Sequence, residues 1–262
     1  MDYLEKTLEA LKVHAERIAT RSYVPYSGEP AGIVILLEDG SLIAGVRVEN
    51  ASFPLTISAL QNAITTAYSL QRTDFSILVS TIPFTEAELA YTSALGAFQW
   101  ELVAANILMV AGAHHPDPTD FLPLSKSTSF QTPEEGILAA RASASKAFVP
   151  HSQFPVGCAV STNSSQTVLG VNVEHSDWSK ILCAERNALS TMVSYDLGEA
   201  QEIFVSCVKL AGASPCGACR QVIVELAPQA TVWMDFGSEK PQAMKAKDLL
   251  PGHFSGDVLR RS

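Results

Sequence analysis

From Leu4 the apolar positions recur at helical spacing, with Leu4, Leu8, Leu11, Ala15 and Ile18 on one face. The helix this predicts ends at Tyr23-Val24-Pro25, because proline lacks an N–H and disfavours helix at the residue before it. Two apolar runs follow, Gly32 to Leu37 and Ser41 to Val48, with the turn pair Asp39-Gly40 between them. A helix is expected from near Ile57, then strands at Phe75 to Val79 and Ile107 to Ala111. The same order then begins again. Pro133-Glu134-Glu135 opens a helix with Ile137 and Leu138 expected inward, and Phe148-Val149-Pro150 breaks it. Strands are expected at Val156 to Ser161 and Thr167 to Val173, around the turn Thr162-Asn163-Ser164-Ser165. A helix near Leu182 and strands at Glu202 to Val208 and Ala230 to Met234 complete the second set. Strands alternating with helices indicate a layered α/β architecture.

The two sets are copies of one module. Ser22-Tyr23-Val24-Pro25-Tyr26-Ser27 matches Ala147-Phe148-Val149-Pro150-His151-Ser152, and Gly45-Val46-Arg47-Val48-Glu49 matches Gly170-Val171-Asn172-Val173-Glu174. Phe148 follows Tyr23 by 125 residues, and Gly170 follows Gly45 by the same 125. One ungapped offset over this length predicts two homologous domains, residues 1–127 and 128–262. The segment His114 to Thr132, rich in Pro, Ser, Thr and Asp, reads as the linker.

Only the second copy carries reactive chemistry. Cys183-Ala184-Glu185-Arg186 and Pro215-Cys216-Gly217-Ala218-Cys219-Arg220-Gln221 stand close to expected helix starts. Three thiolates leave a tetrahedral zinc shell one protein ligand short, and the open position suits a water that zinc makes acidic. Glu185, two residues after the first ligand, is placed to move that water's proton. A CxxC pair alone is more often a structural zinc knuckle or a redox pair, but a redox pair needs no third cysteine. The full pattern matches the zinc nucleobase deaminases, in which the glutamate shuttles protons and binds no metal. In the first copy the 125-residue offset puts Ser58 and Leu60 where Cys183 and Glu185 stand. A shift of 121 residues puts Leu95 and Phe98 opposite Cys216 and Cys219, with Gly96 and Ala97 retained. The first copy therefore has neither ligands nor acid, and one zinc ion per chain is expected, in the second domain.

Composition narrows the field of partners. The net charge of −9 and the lack of a Lys/Arg cluster near the cysteines argue against a nucleic-acid partner. No apolar run reaches the roughly 18 residues of a membrane span. Met1 to Thr20 carries acids from its second residue and does not read as a secretory signal. Cys158 and Cys207 fall in expected strands as buried thiols, so cysteine usage fits a reducing, cytoplasmic compartment.

The chain is similar to the cytidine deaminases over nearly its whole length, twice over. The resemblance rests on Phe154-Pro155-Val156-Gly157, Asn172-Val173-Glu174, the two cysteine motifs and Leu249-Leu250-Pro251-Gly252-His253-Phe254. It implies two three-layer αβα domains, each with a mixed five-stranded sheet. It implies hydrolysis of cytidine and deoxycytidine to uridine and deoxyuridine. By the same resemblance Cys183, Cys216 and Cys219 hold Zn2+, and Glu185 is the proton shuttle. Asn172 and Glu174 take the ribose hydroxyls, Phe154 packs on the pyrimidine, and Ala184 counts among the substrate contacts. Arg186 bonds cysteine sulfurs and softens the net charge of the metal site.

Members of that family complete each site with loops from neighbouring modules. The first copy keeps the family form of this loop, Glu49-Asn50-Ala51-Ser52-Phe53-Pro54-Leu55, which makes Ala51 and Phe53 candidate contacts to a live site. The second copy's loop, Glu174-His175-Ser176-Asp177-Trp178-Ser179-Lys180, has departed from it and is expected to face the dead pocket. Phe254 is a further candidate contact, since its counterpart in the first copy is Lys126. The expected assembly is a homodimer that places four modules around two sites. A deaminase of another aminopyrimidine nucleoside, a purely structural zinc protein and a nucleic-acid editor are the competing readings. The last is disfavoured by charge, and the structural one by an acid for which it has no use.

Overall fold

The computed structural model describes residues 3–95, 98–124, 130–237 and 239–259. Helix α1 (Tyr3–Ala19) precedes strands β1 (Gly32–Leu37) and β2 (Leu42–Val46), then helix α2 (Ala59–Ser69), β3 (Phe75–Ser80), α3 (Glu86–Ala94), β4 (Trp100–Ala104) and β5 (Ile107–Val110). The second copy runs α4 (Pro133–Ala144), β6 (Val156–Thr162), β7 (Thr167–Val171), α5 (Ala184–Ser194), β8 (Ala200–Cys207), α6 (Gly217–Leu226), β9 (Thr231–Met234) and β10 (Gln242–Lys245).

Each copy has three layers. Every residue of β1 is buried, as a strand covered on both faces requires. Ile33, Ile35 and Leu37 pack with Leu60, Ala63 and Ile64 of α2, while Val34 and Leu36 pack with Leu11, Ala15 and Ile18 of α1. Alternate positions thus serve opposite helices. In the second copy Cys158 and Val160 of β6 face α5 and α6, and Ala159 faces Ile137 and Ala140 of α4. Leu138, expected inward, is 58% exposed, because the small Ala140 fills the inward row beside Ile137.

The inner helices approach their strands closely. A Cβ on Gly45 would meet Ala59 O and Ala63 N of α2. One on Gly170 would meet Ala184 O and Ala188 N of α5, 125 residues along in each case. Helices α2 and α5 also pack on each other, and each touches the other copy's outer strand, β7 or β2. At their crossing the hydroxyls of Thr66 and Thr191 lie 2.7 Å apart, and the two N–H groups of Asn62 Nδ2 are shared among Val46 O, Ser190 O and Ser194 Oγ. This seam is buried and polar, so its geometry is set by hydrogen bonds as well as apolar contact.

The expectation of two mixed sheets holds for one copy. The second sheet has the order β10-β9-β8-β6-β7, with β8 and β9 parallel across the α6 crossover. The first has the order β2-β1-β3-β5-β4 and is antiparallel throughout. The cause is which strand of the last hairpin is apolar. In the first copy the exposed strand β4 comes first and the buried strand β5, Ile-Leu-Met-Val, second. In the second copy β9 comes first and is half-buried, and the exposed Gln-Ala-Met-Lys of β10 follows. The more apolar strand takes the inner place each time, so its direction reverses.

The linker lies against both copies: Leu42 of the first pairs with Phe121, and Phe121 packs edge-on against His14 of the first and Tyr195 of the second. The boundary expected at residues 127 and 128 lies outside the described residues, as do Gly96, Ala97 and Lys126. Among the described residues no helix is long and apolar enough to cross a membrane.

Candidate active site

Two helix starts converge below a pocket of about 690 Å³. Cys183 is the N-cap of α5 and Cys216 the N-cap of α6, with Cys219 in the first turn of α6. The Sγ atoms of Cys183 and Cys216 are 3.8 Å apart, and the three Sγ atoms lie within 4.8 Å of one another. Tetrahedral ligands at ~2.3 Å from zinc are separated by about 3.8 Å, so the donor set fits that ion. Both helices turn their positive ends on the cluster, which favours thiolate. The thiols divide the burden unevenly. Hydrogen bonds from Cys183 and Cys219 hold the Cys216 thiol far below its usual range, and the two donors are pushed up. Loss of the two remaining thiol protons would place three negative sulfurs at this spacing, a charge that a bound cation would balance.

Glu185 occupies the first turn of α5 and is 3% exposed. Burial pushes its carboxyl up to about 7; its own backbone N–H opposes the rise, and the charge on Cys216 adds to it. A carboxyl balanced near neutral pH can both accept and return a proton.

The far wall is polar. Glu174 Oε2 accepts from His151 N (2.9 Å) and Ser152 N (3.1 Å), and the Ser152 hydroxyl donates to Oε1. Burial raises this carboxyl, but the donors on Ser152 and His151 outweigh it and hold it below its usual range. Asn172 Oδ1 accepts from Val156 N (2.8 Å) and Nδ2 donates to Phe154 O (3.0 Å). Each of its polar atoms keeps one further hydrogen-bonding position, and the amide fixes the backbone beside the Phe154 ring. Phe154 lines the pocket and is 37% exposed.

Cys183, Glu185, Arg186, Cys216, Phe154, Asn172 and Glu174 all line the pocket, and Cys219 is buried behind it. Ala184 is wholly buried as the first residue of α5. Ala51, Phe53 and Phe254 do not line it. Ala51 N donates to Glu225 Oε2 of α6, while Phe53 is 83% exposed and Phe254 half-exposed. Among the described residues no hydrogen bond joins Arg186 to a cysteine sulfur; its guanidinium donates to Leu55 O of the first copy (3.2 Å), and Nε is buried without a partner. The drifted loop is also differently placed: Trp178 and Ser179 line the second copy's own pocket, and only Lys180 lines a pocket in the first copy. Ser152, which holds Glu174 through its N–H and hydroxyl, is a candidate the sequence reading missed, although it is the last position of the repeated Val-Pro-X-Ser motif.

The first copy keeps a pocket of about 490 Å³ at the corresponding place. Ser58 caps α2, accepting from Gln61 N, and Leu60 is fully buried where Glu185 stands in the other copy. The 121-residue shift fails here, because Leu95 lies at the C-terminal end of α3. Thr85, the N-cap of α3, is the residue that lines this pocket as Cys216 lines the other.

Comparison with known proteins agrees with this geometry. Residues 131–235 match a family model described as the cytidine and deoxycytidylate deaminase zinc-binding region, and residues 2–94 match a second model of that description. A cytidine deaminase of Halalkalibacterium halodurans is 35% identical over 114 residues, 43% of this chain and 86% of that protein. The chain belongs to the cytidine deaminase family. A second family member, from Sporosarcina psychrophila, is 34% identical over 127 residues, 48% of this chain and 93% of that protein. The crystal structure of a cytidine deaminase from Burkholderia pseudomallei is 37% identical, covers 47% of this chain and 100% of that one, and has a TM-score of 0.45. Each of these single-module deaminases spans about half of this two-module chain.

Proposed function

We propose that the second domain converts cytidine and deoxycytidine with water into uridine or deoxyuridine and ammonia, as a step in pyrimidine salvage. The observation that carries this reading is the buried carboxyl of Glu185 in the first turn of α5, beside three converging thiols. Cys183, Cys216 and Cys219 would hold one zinc ion per chain. When bound, zinc supplies Lewis acidity that makes a water nucleophilic near neutral pH. Glu185 takes a proton from water and passes it to ring N3 as the water oxygen adds to C4, then moves that oxygen's second proton to the amino group as the C4–N bond breaks and ammonia leaves. Glu174 and Asn172 orient the ribose through its hydroxyls, and Phe154 packs on the pyrimidine. Arg186, anchored on Leu55 O, keeps a positive charge beside a site whose three thiolates would leave it net negative.

Ammonia release measured with cytidine, deoxycytidine, cytosine and dCMP tests the assignment. Turnover of both nucleosides, with little of the free base, supports it. Turnover of none of them overturns it. Trp178, 71% exposed at the rim of the pocket, favours one second reading, a larger or modified aminopyrimidine nucleoside as substrate.

The working unit in this reading is a cytosolic homodimer. Phe53 and Phe254 stand exposed outside their own chain's pocket and would complete that of a second copy. Phe53→Ala should raise KM while zinc stays bound. Unchanged kinetics, or a monomer with full activity in sedimentation, would remove this part of the proposal.

A further inference from the structure

We propose that the pocket of the first copy binds a pyrimidine nucleoside without turning it over. The ligand class rests on the reading of the live pocket as a nucleoside site, and the test below separates the two. The central observation is Glu49, the counterpart of Glu174. It is 8% exposed and lines the pocket, and its Oε2 accepts from Tyr26 N (3.1 Å) and Ser27 N (3.2 Å). The same two backbone donors hold Glu174 in the live copy. No hydrogen-bond donor to Glu49 Oε1 is present among the described residues. Oε1 is not closed off from the pocket, so a sugar hydroxyl there would meet a charged acceptor.

The rest of the lining suits an uncharged polar molecule. Arg47 and Lys180 balance Glu49 and Glu88, so the lining is neutral overall. Gln61 Nε2 donates to Lys180 O (2.7 Å), and this contact fixes the second copy's loop at the mouth of α2. Gln61 Oε1 and the Ser58 hydroxyl are left to meet the donor and acceptor edge of a pyrimidine. The 125-residue offset makes Glu29 the counterpart of Phe154, and Glu29 does not line this pocket, so ring contact falls to Ile82 and Tyr91, and Tyr91 is itself braced by stacking on His175 at 4.9 Å. Ser58 and Thr85 replace two thiols and Leu60 replaces the acid, which leaves nothing to activate water.

Equilibrium dialysis of the zinc-loaded protein with labelled uridine tests this, since the deamination product is not consumed. We expect two uridines per chain. Ala87→Trp, placed on the exposed lining of the first pocket, should remove one of them, and Glu174→Ala should remove the other. Glu49→Gln should weaken the first site about tenfold, as a charged acceptor is exchanged for a neutral one. The uridine that remains in each variant shows that the protein has folded. One uridine per chain, lost in Glu174→Ala and kept in Ala87→Trp, overturns this proposal and leaves the proposed function standing. No uridine bound at all overturns both.

Discussion

The two copies share a backbone plan and differ in what their helix starts carry. At α5 and α6 the caps are Cys183 and Cys216, and at α2 and α3 they are Ser58 and Thr85. The first pair can bind a metal, whereas a serine or threonine hydroxyl simply caps its own helix. Behind the caps sits a titrating carboxyl in one copy and a fully buried leucine in the other. The comparison shows that a few positions separate a helix start able to bind metal from one that only caps itself, while the surrounding packing is the same. The first copy still contributes: its Leu55 carbonyl receives Arg186, and its loop binds α6 through Ala51 and Glu225.

The contrast is broken most sharply at the acid. Glu185→Gln should lower kcat by about 10²- to 10⁴-fold with zinc content unchanged. Leu60→Glu should gain no activity and should cost about 4 kcal/mol, read as a loss in chemical denaturation, because the new carboxyl has no buried partner. Next in size is the metal. Metal analysis should give one zinc per chain, falling close to zero in Cys219→Ser, with a lower Tm; two ions in the parent chain would undo the reading of a degenerate first copy. The glycines sharpen the likeness instead. Gly45→Ala and Gly170→Ala should each cost about 1–3 kcal/mol and by similar amounts, since both push a Cβ into helix backbone at equivalent places.

A smaller effect marks the mixed sheet. Asp235, at the end of β9, takes a bidentate bond from Arg141 of α4 and another from Ser206 Oγ. Burial raises its carboxyl, but these donors outweigh it and hold it below its usual range. The stabilisation is therefore complete above the ordinary carboxylate range and is lost as pH falls through the lowered value. Asp235→Asn should cost about 2 kcal/mol at pH 7, and the gap to the parent protein should close below about pH 4.

The duplication was legible because one ungapped offset survives in elements that bury both faces. The bridges Tyr23 to Val48 and Phe148 to Val173 fall 125 residues apart, as do Val48 to Ile57 and Val173 to Leu182. The live site was legible because its residue types are needed together at fixed helix positions. Strands β4 and β10 were not, because they are short edge strands with exposed side chains and no alternation to read. The reversed direction of β5 was hidden for a related reason: it depends on which of two neighbouring runs is more apolar, and one of those runs gave no strand signal. The partner of Arg186 is a carbonyl, and a carbonyl has no residue type to reveal it.

The crossing of α2 and α5 has one more outcome. A loop carried on a separate chain would have to meet α5 and α6 by diffusion. Here the loop is joined through the chain, at an effective concentration on the order of millimolar. However dilute the protein becomes, Arg186 keeps its Leu55 carbonyl and Glu225 its Ala51 N–H, so this part of the assembly is insensitive to expression level.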